Sequence, residues 1–131
     1  MLVDAPASFS ERTLTALDTS DLICLVTSAS LPSLKATRRC LDLLAKLGVS
    51  PGRLRLILNY SANQAMEVDS AAAVLGRNPD FVLQKSEALD QAIASGRPLV
   101  TSDPNDPLVA DLRTLSEAIV ASVSAAVDRT T

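Results

Sequence analysis

Hydrophobic and polar positions divide this chain into two alternating kinds of segment. Leu22–Thr27 (LICLVT) and Leu54–Asn59 (LRLILN) are short, nearly unbroken apolar runs, and Asp80–Gln84 (DFVLQ) is a weaker third. Runs of this length without polar alternation predict strands buried on both faces, as in a parallel sheet covered by helices.

Helical periodicity fills the intervals. In SFSERTLTALD, Ser8 and Glu11 stand at capping-box spacing, which predicts a helix start there. LPSLKATRRCLDLLAKLG places Leu34, Leu41, Leu44 and Leu47 near one face, with Lys35, Arg38, Arg39 and Lys46 mostly elsewhere and Gly48 as a left-handed stop. A third helix is predicted over 66–75, ending at Gly76, and a fourth over about 87–95, ending at Gly96. The last follows SDPNDP, with Asp106 as N-cap and Pro107 in the first turn, and repeats Leu108, Leu112, Leu115, Ile119 and Val123 at intervals of three or four. Strands alternating with helices read as right-handed crossovers and an α/β layered domain.

Length sets this at one domain, since 131 residues fall in the usual single-domain range of roughly 100–150. The apolar share of 47% with so few aromatics (Phe9, Tyr60, Phe81) means that the core rests on Leu, Val, Ile and Ala. Twelve basic against fifteen acidic side chains, with no block of like charge, give no nucleic-acid signal. The absence of histidine excludes His-dependent triads and the common His-containing zinc sites. Cys24 and Cys40 lack CxxC spacing and are expected to be free, buried thiols. No signal peptide and no apolar run near the roughly 20 residues of a bilayer span are visible, so a cytoplasmic protein without a transmembrane segment is expected.

Against that frame LVDAP acquires meaning. An acid at the carboxyl end of a parallel strand faces the crevice where open α/β sheets bind ligands. In nucleotide hydrolases such an acid helps to hold Mg²⁺, because hard cations prefer oxygen; elsewhere it merely caps the next turn. The order LVDAP-x-F, then L-x-A-L-D-x-S-D-x-I-x-L-V-T, L-P-S-L-K, R-x-L-D-L-L-x-x-L-G, L-R-L-I-L-N and A-I-x-x-G-R-P-L-V resembles the carboxyl-terminal part of ParA/MinD-type deviant Walker ATPases. Within that superfamily TSASLPSLKATRRCLDLL looks most like the CpaE/TadZ branch, which serves assembly and polar localisation of Flp-type (tight adherence) pili.

The resemblance spans roughly residues 2–115 and implies a truncated P-loop fold, one partial ATPase domain over 1–131 that begins at a Walker B strand and ends in an amphipathic helix at about 107–128. It implies Asp4 as the Walker B acid that supports magnesium and the attacking water, with Pro6 in the switch segment after it. Asn59 corresponds to the asparagine that reads the adenine edge, its amide offering both donor and acceptor. Gln84 and Lys85 fall in the loop that closes over the base, although LQKSE lacks the proline usual there. ATP, Mg²⁺, a nucleotide-bound homodimer, pilus assembly proteins and recruitment to the pole or inner membrane are implied for the intact family member.

Phosphate binding in these enzymes needs a Gly-rich loop followed by Lys and Ser/Thr. All four glycines lie at or after Gly48, and Arg53 follows Gly52 where a lysine would be required. The expectation is therefore a chain that begins at an internal start or truncation point, and that neither binds ATP tightly nor hydrolyses it alone. Two other readings stay open: a docking module without enzymatic activity, with Lys35, Arg38 and Arg39 as its face, and a fragment of a ParA/MinD-type partition or septum-positioning ATPase. The last helix carries only Arg113 and Arg129 as cations, a poor match to an anionic membrane.

Overall fold

The structure, a computed structural model, describes residues 1–6, 8–61 and 66–128, with side chains up to residue 125. Its elements in order are α1 (Glu11–Thr19), β1 (Ile23–Ser28), α2 (Leu31–Lys46), a 3-10 turn (Pro51–Arg53), β2 (Leu54–Asn59), α3 (Val68–Leu75), β3 (Phe81–Leu83), α4 (Ala88–Ala94), α5 (Leu99–Ser102) and α6 (Pro107–Asp128). The three expected strands form one parallel sheet of order β1-β2-β3, with Ile23 beside Leu54, Ser28 beside Asn59, and Asn59 beside Leu83. An α/β fold of parallel strands flanked by helices is what the periodicity predicts.

Side chains alternate across the sheet, so the register assigns each residue to a face. Leu54, Leu56 and Leu58 point to the face covered by α2 and α3, where they pack with Leu34, Leu44, Ala71 and Leu75. Ile57 points the other way and packs with Leu83, Ala92, Leu99, Leu108, Val109 and Leu115 from β3 and α4 to α6. Every apolar side chain of β2 is therefore buried, as its sequence demands. β1 differs: Ile23 and Thr27 are buried against α2, but Cys24 and Val26 are exposed because no helix covers that side of the strand.

Several local readings change. The cap of α1 is Ser10, whose hydroxyl accepts from the Thr13 amide at 3.3 Å and lies 3.1 Å from the Thr13 hydroxyl. Glu11 is thus the first helical residue, too early to complete a capping box with Ser8. Cys24 is free but exposed, and Cys40 is half-buried. Leu2 and Val3, expected as the first strand, form none: Leu2 is 92% and Val3 51% exposed, and among the described residues no strand pairs with them. The four-residue α5 is new. Arg129 lies outside the described residues. Among the described residues no helix is long and apolar enough to cross a membrane.

Candidate functional site at the strand ends

The two strand-end residues that matter arrive by different routes. β2 ends at Asn59, and the amide of the next residue, Tyr60, donates to Leu83 O at 3.0 Å. β3 stops at Leu83 because the carboxylate of Asp111 on α6 takes the next amide, Gln84 N, at 2.8 Å. Asn59 therefore stands directly beside the start of the loop Gln84–Lys85, at the carboxyl ends of adjacent parallel strands, where sheets of this class bind ligands.

Beside them lies a shallow pocket of about 410 Å³, lined by Tyr60, Met66, Glu67, Val68, Val82, Gln84 and Lys85. One wall is apolar and the rim carries an amide, an ammonium and a carboxylate. Lys85 Nζ is 3.6 Å from Glu87 Oε1, an exposed pair of the weakly held kind. The Tyr60 phenol donates to Met66 O, which ties the strand end to the segment leading into α3. Burial, and then the nearby Glu67 carboxylate, push this phenol above its ordinary range, so it stays a neutral donor. The size suits a planar heterocycle with polar edges.

Asp4 and Pro6 are elsewhere. Both line a separate cleft along β1, with Leu2, Val3 and Phe9, and among the described residues Asp4 has no ion-pair or hydrogen-bond partner. Mg²⁺ needs six oxygens, ordinarily one or two carboxylates with phosphate and water oxygens. Among the described residues no second acid lines that cleft, and no three His, Cys, Asp or Glu side chains group to hold a metal. The residues present do not by themselves fit the ion.

The two glycines nearest to the spacing of a phosphate loop have other roles. Gly48 closes α2 at φ +80°, and Gly52 sits in the 3-10 turn. Arg53 turns away from any ligand and donates to the last carbonyls of α1, Leu17 O at 2.7 Å and Ser20 O at 3.1 Å. Of the basic face on α2, Arg38 is likewise committed to structure, donating to Leu75 O at 3.1 Å.

The sequence reading missed Tyr60, Glu67 and Asp111. Two of these carried a signal: Tyr60 is the single tyrosine and follows the strand-end asparagine, and Asp111 is an acid set on the apolar stripe of α6 between Leu108 and Leu115. Glu67 carried none.

No protein-family model matches the chain, and no curated protein does. Solved structures do. A ParA family ATPase from Chlorobium tepidum TLS superimposes with a TM-score of 0.69 at 24% identity, over 79% of this chain and 44% of that one. The MinC:MinD cell division protein complex of Aquifex aeolicus gives a TM-score of 0.70 at 14% identity, over 86% of this chain and 48% of that one. The chain spans less than half the length of either, and over most of its residues it has the parallel α/β fold of ParA/MinD-type ATPases.

Proposed function

We propose that these residues are the carboxyl-terminal part of a CpaE-like ATPase that serves assembly and localisation of Flp-type pili, and that they supply the base-binding half of its nucleotide site. The observation that carries this reading is the pairing of Asn59 with Leu83 at the carboxyl edge of a ParA/MinD-like sheet, next to a pocket of heterocycle size lined by Tyr60, Gln84 and Lys85. The TSASLPSLKATRRCLDLL phrase, which forms the end of β1 and nearly all of α2, supports the pilus branch.

Asn59 reads the adenine edge with its amide, and Gln84 and Lys85 close over the ring. Tyr60 and Asp111 fix the positions of these two strand ends. Asp4 and Pro6 are assigned to the metal and phosphate side of the intact protein, which works as a homodimer with pilus assembly proteins in the cytoplasm at the pole or inner membrane. ATP binding there requires a phosphate loop that these residues do not contain, so the isolated chain has no turnover.

Adenosine added to the isotope-labelled chain is expected to shift the amide resonances of Asn59, Tyr60, Gln84 and Lys85, and Asn59→Ala to remove the effect. Shifts confined to other residues would overturn the base pocket. ATP turnover by the pure chain, abolished by Asp4→Ala, would overturn its inactivity. Deleting the gene that encodes these residues from its host is expected to remove surface pili, and normal piliation would sink the pilus assignment.

A further inference from the structure

β3 is three residues long, and past Leu83 the chain leaves the sheet: among the described residues no bond between main-chain groups holds Gln84, Lys85 or Ser86. Segments without such bonds open easily. Here two carboxylates take their place, and both belong to α6. Asp111 Oδ2 accepts from Gln84 N at 2.8 Å, and Asp106 Oδ2 accepts from Ser86 Oγ at the same distance. The Ser86 hydroxyl in turn accepts from Leu89 N at 3.2 Å, which passes the hold on to the first turn of α4.

Asp111 stands where periodicity calls for an apolar residue. It lies between Leu108 and Leu115 on the stripe of α6 that packs with Ile57 and Leu83. An acid on a packed stripe costs stability unless its oxygens find donors, and the Gln84 amide is that donor. Asp106 also accepts from Leu108 N at 2.8 Å and so starts the helix. Leu108 and Val109, both buried, fix this end of α6 in the core. A rigid helix end therefore carries both contacts to the loop. The contacts bracket Lys85, and Gln84 and Lys85 both line the pocket beside Tyr60.

We propose that α6 is the positioning element of this pocket: Asp111 and Asp106 hold residues 84–86 in their binding arrangement before a ligand arrives, so a helix outside the pocket sets its affinity. Neither acid lines the pocket, and both are positioning residues. Preorganisation of this kind removes the need to order Gln84 and Lys85 at the moment of binding. The inference rests on the base-pocket reading for the identity of the ligand, whereas the hold on the loop is a property of the free chain.

Exchange of the Gln84 amide with solvent, followed by NMR without ligand, is expected to be about tenfold faster in Asp111→Ala than in the unaltered chain, as loss of one charge-assisted hydrogen bond implies. Adenosine is then titrated, and its Kd is read from the Tyr60 and Lys85 resonances. Asp111→Ala and Ser86→Ala should each weaken it about tenfold, because two side chains must then be ordered on binding. Ser86→Ala cuts the second contact and leaves Asp106 to start α6, and thermal melts confirm that each variant folds. Asp111→Asn, whose amide oxygen can still accept from Gln84 N, should recover most of the affinity. Val109→Ala, in the core face of the same helix, should lower the melting temperature and leave the Kd unchanged. Unaltered Gln84 exchange in Asp111→Ala, or full affinity in both alanine variants, would overturn the proposal. So would an equal loss in Val109→Ala, since any weakening of α6 would then suffice. Adenosine without effect on the unaltered chain would instead overturn the base pocket, and Gln84 exchange would then decide the hold by itself.

Discussion

Tyr60 is the single tyrosine of a chain without tryptophan, so its ionisation can be followed by ultraviolet absorbance without interference. Burial and Glu67 both raise its pKa, and the titration midpoint is expected above that of the unfolded chain. Glu67→Gln should bring it only part of the way back, because burial is the larger cause. A midpoint unchanged from the unfolded chain would show that the phenol is not held at the pocket. The thiols obey the same physics at the other site. Burial pushes both Cys24 and Cys40 up, with Arg55 pulling Cys24 partly back. A raised pKa leaves less thiolate at any given pH, so alkylation of both should be slower than that of a free thiol near pH 7 and should still be climbing above pH ~8.5. Arg55→Ala is expected to slow Cys24 further, and timed alkylation with mass spectrometry would resolve the two sites. Asn59, Gln84 and Lys85 were legible as strand-end and loop residues. The company that Gln84 and Lys85 keep with Tyr60 and Glu67 was not, because pocket walls come from segments that periodicity treats separately.

Helix ends show the next scale. Gly76 closes α3 at φ +74°, and a Cβ there would lie 1.6 Å from Arg38 Nη1. Arg38 in turn donates to Leu75 O and holds Asp42 at 3.3 Å, so the guanidinium of α2 is the cap of α3. Gly76→Ala combines the left-handed penalty, about 1–2 kcal/mol, with displacement of that cap. A loss of at least this size is expected in urea unfolding. Arg38→Ala should cost about as much, and the double variant less than the sum, since both remove one junction. Additive losses would show that the residues act independently. At the other end of the chain Asp106 accepts from Leu108 N and Ser86 Oγ, both at 2.8 Å, and starts α6 while pinning the loop before α4. Asp106→Ala is expected to cost about 1–2 kcal/mol. The Asp106–Pro107 start and the glycine stops were readable from sequence. The Ser8–Glu11 box was not realised because Ser10, two residues later, offers its hydroxyl to the Thr13 amide.

For the whole molecule, β2 is the shared element, giving Leu54 and Leu56 to the clusters beneath α2 and α3 and Ile57 to the one beneath α6. Removing any part of it should loosen both faces together. Unfolding is therefore expected as one transition in the absence of nucleotide, coincident by circular dichroism and by Tyr60 fluorescence. Leu56→Ala, at a fully buried site, should lower stability by about 2–5 kcal/mol without splitting the transition. Two resolved transitions would show that the layers melt independently. The sequence by itself determined the three strands β1 to β3, the two-sided burial of β2 and the helix stops at Gly48, Gly76 and Gly96, because each depends on local periodicity or on residue types that are present. Only the tertiary structure decided that Asn59 ends beside Leu83, that Gln84 and Lys85 line one pocket, and that Asp4 and Pro6 stand in another cleft. It also decided that β1, apolar enough for an interior strand, lies at an open edge. Which residues meet depends on strand order and on what covers each face, and neither is encoded in the spacing of a single segment.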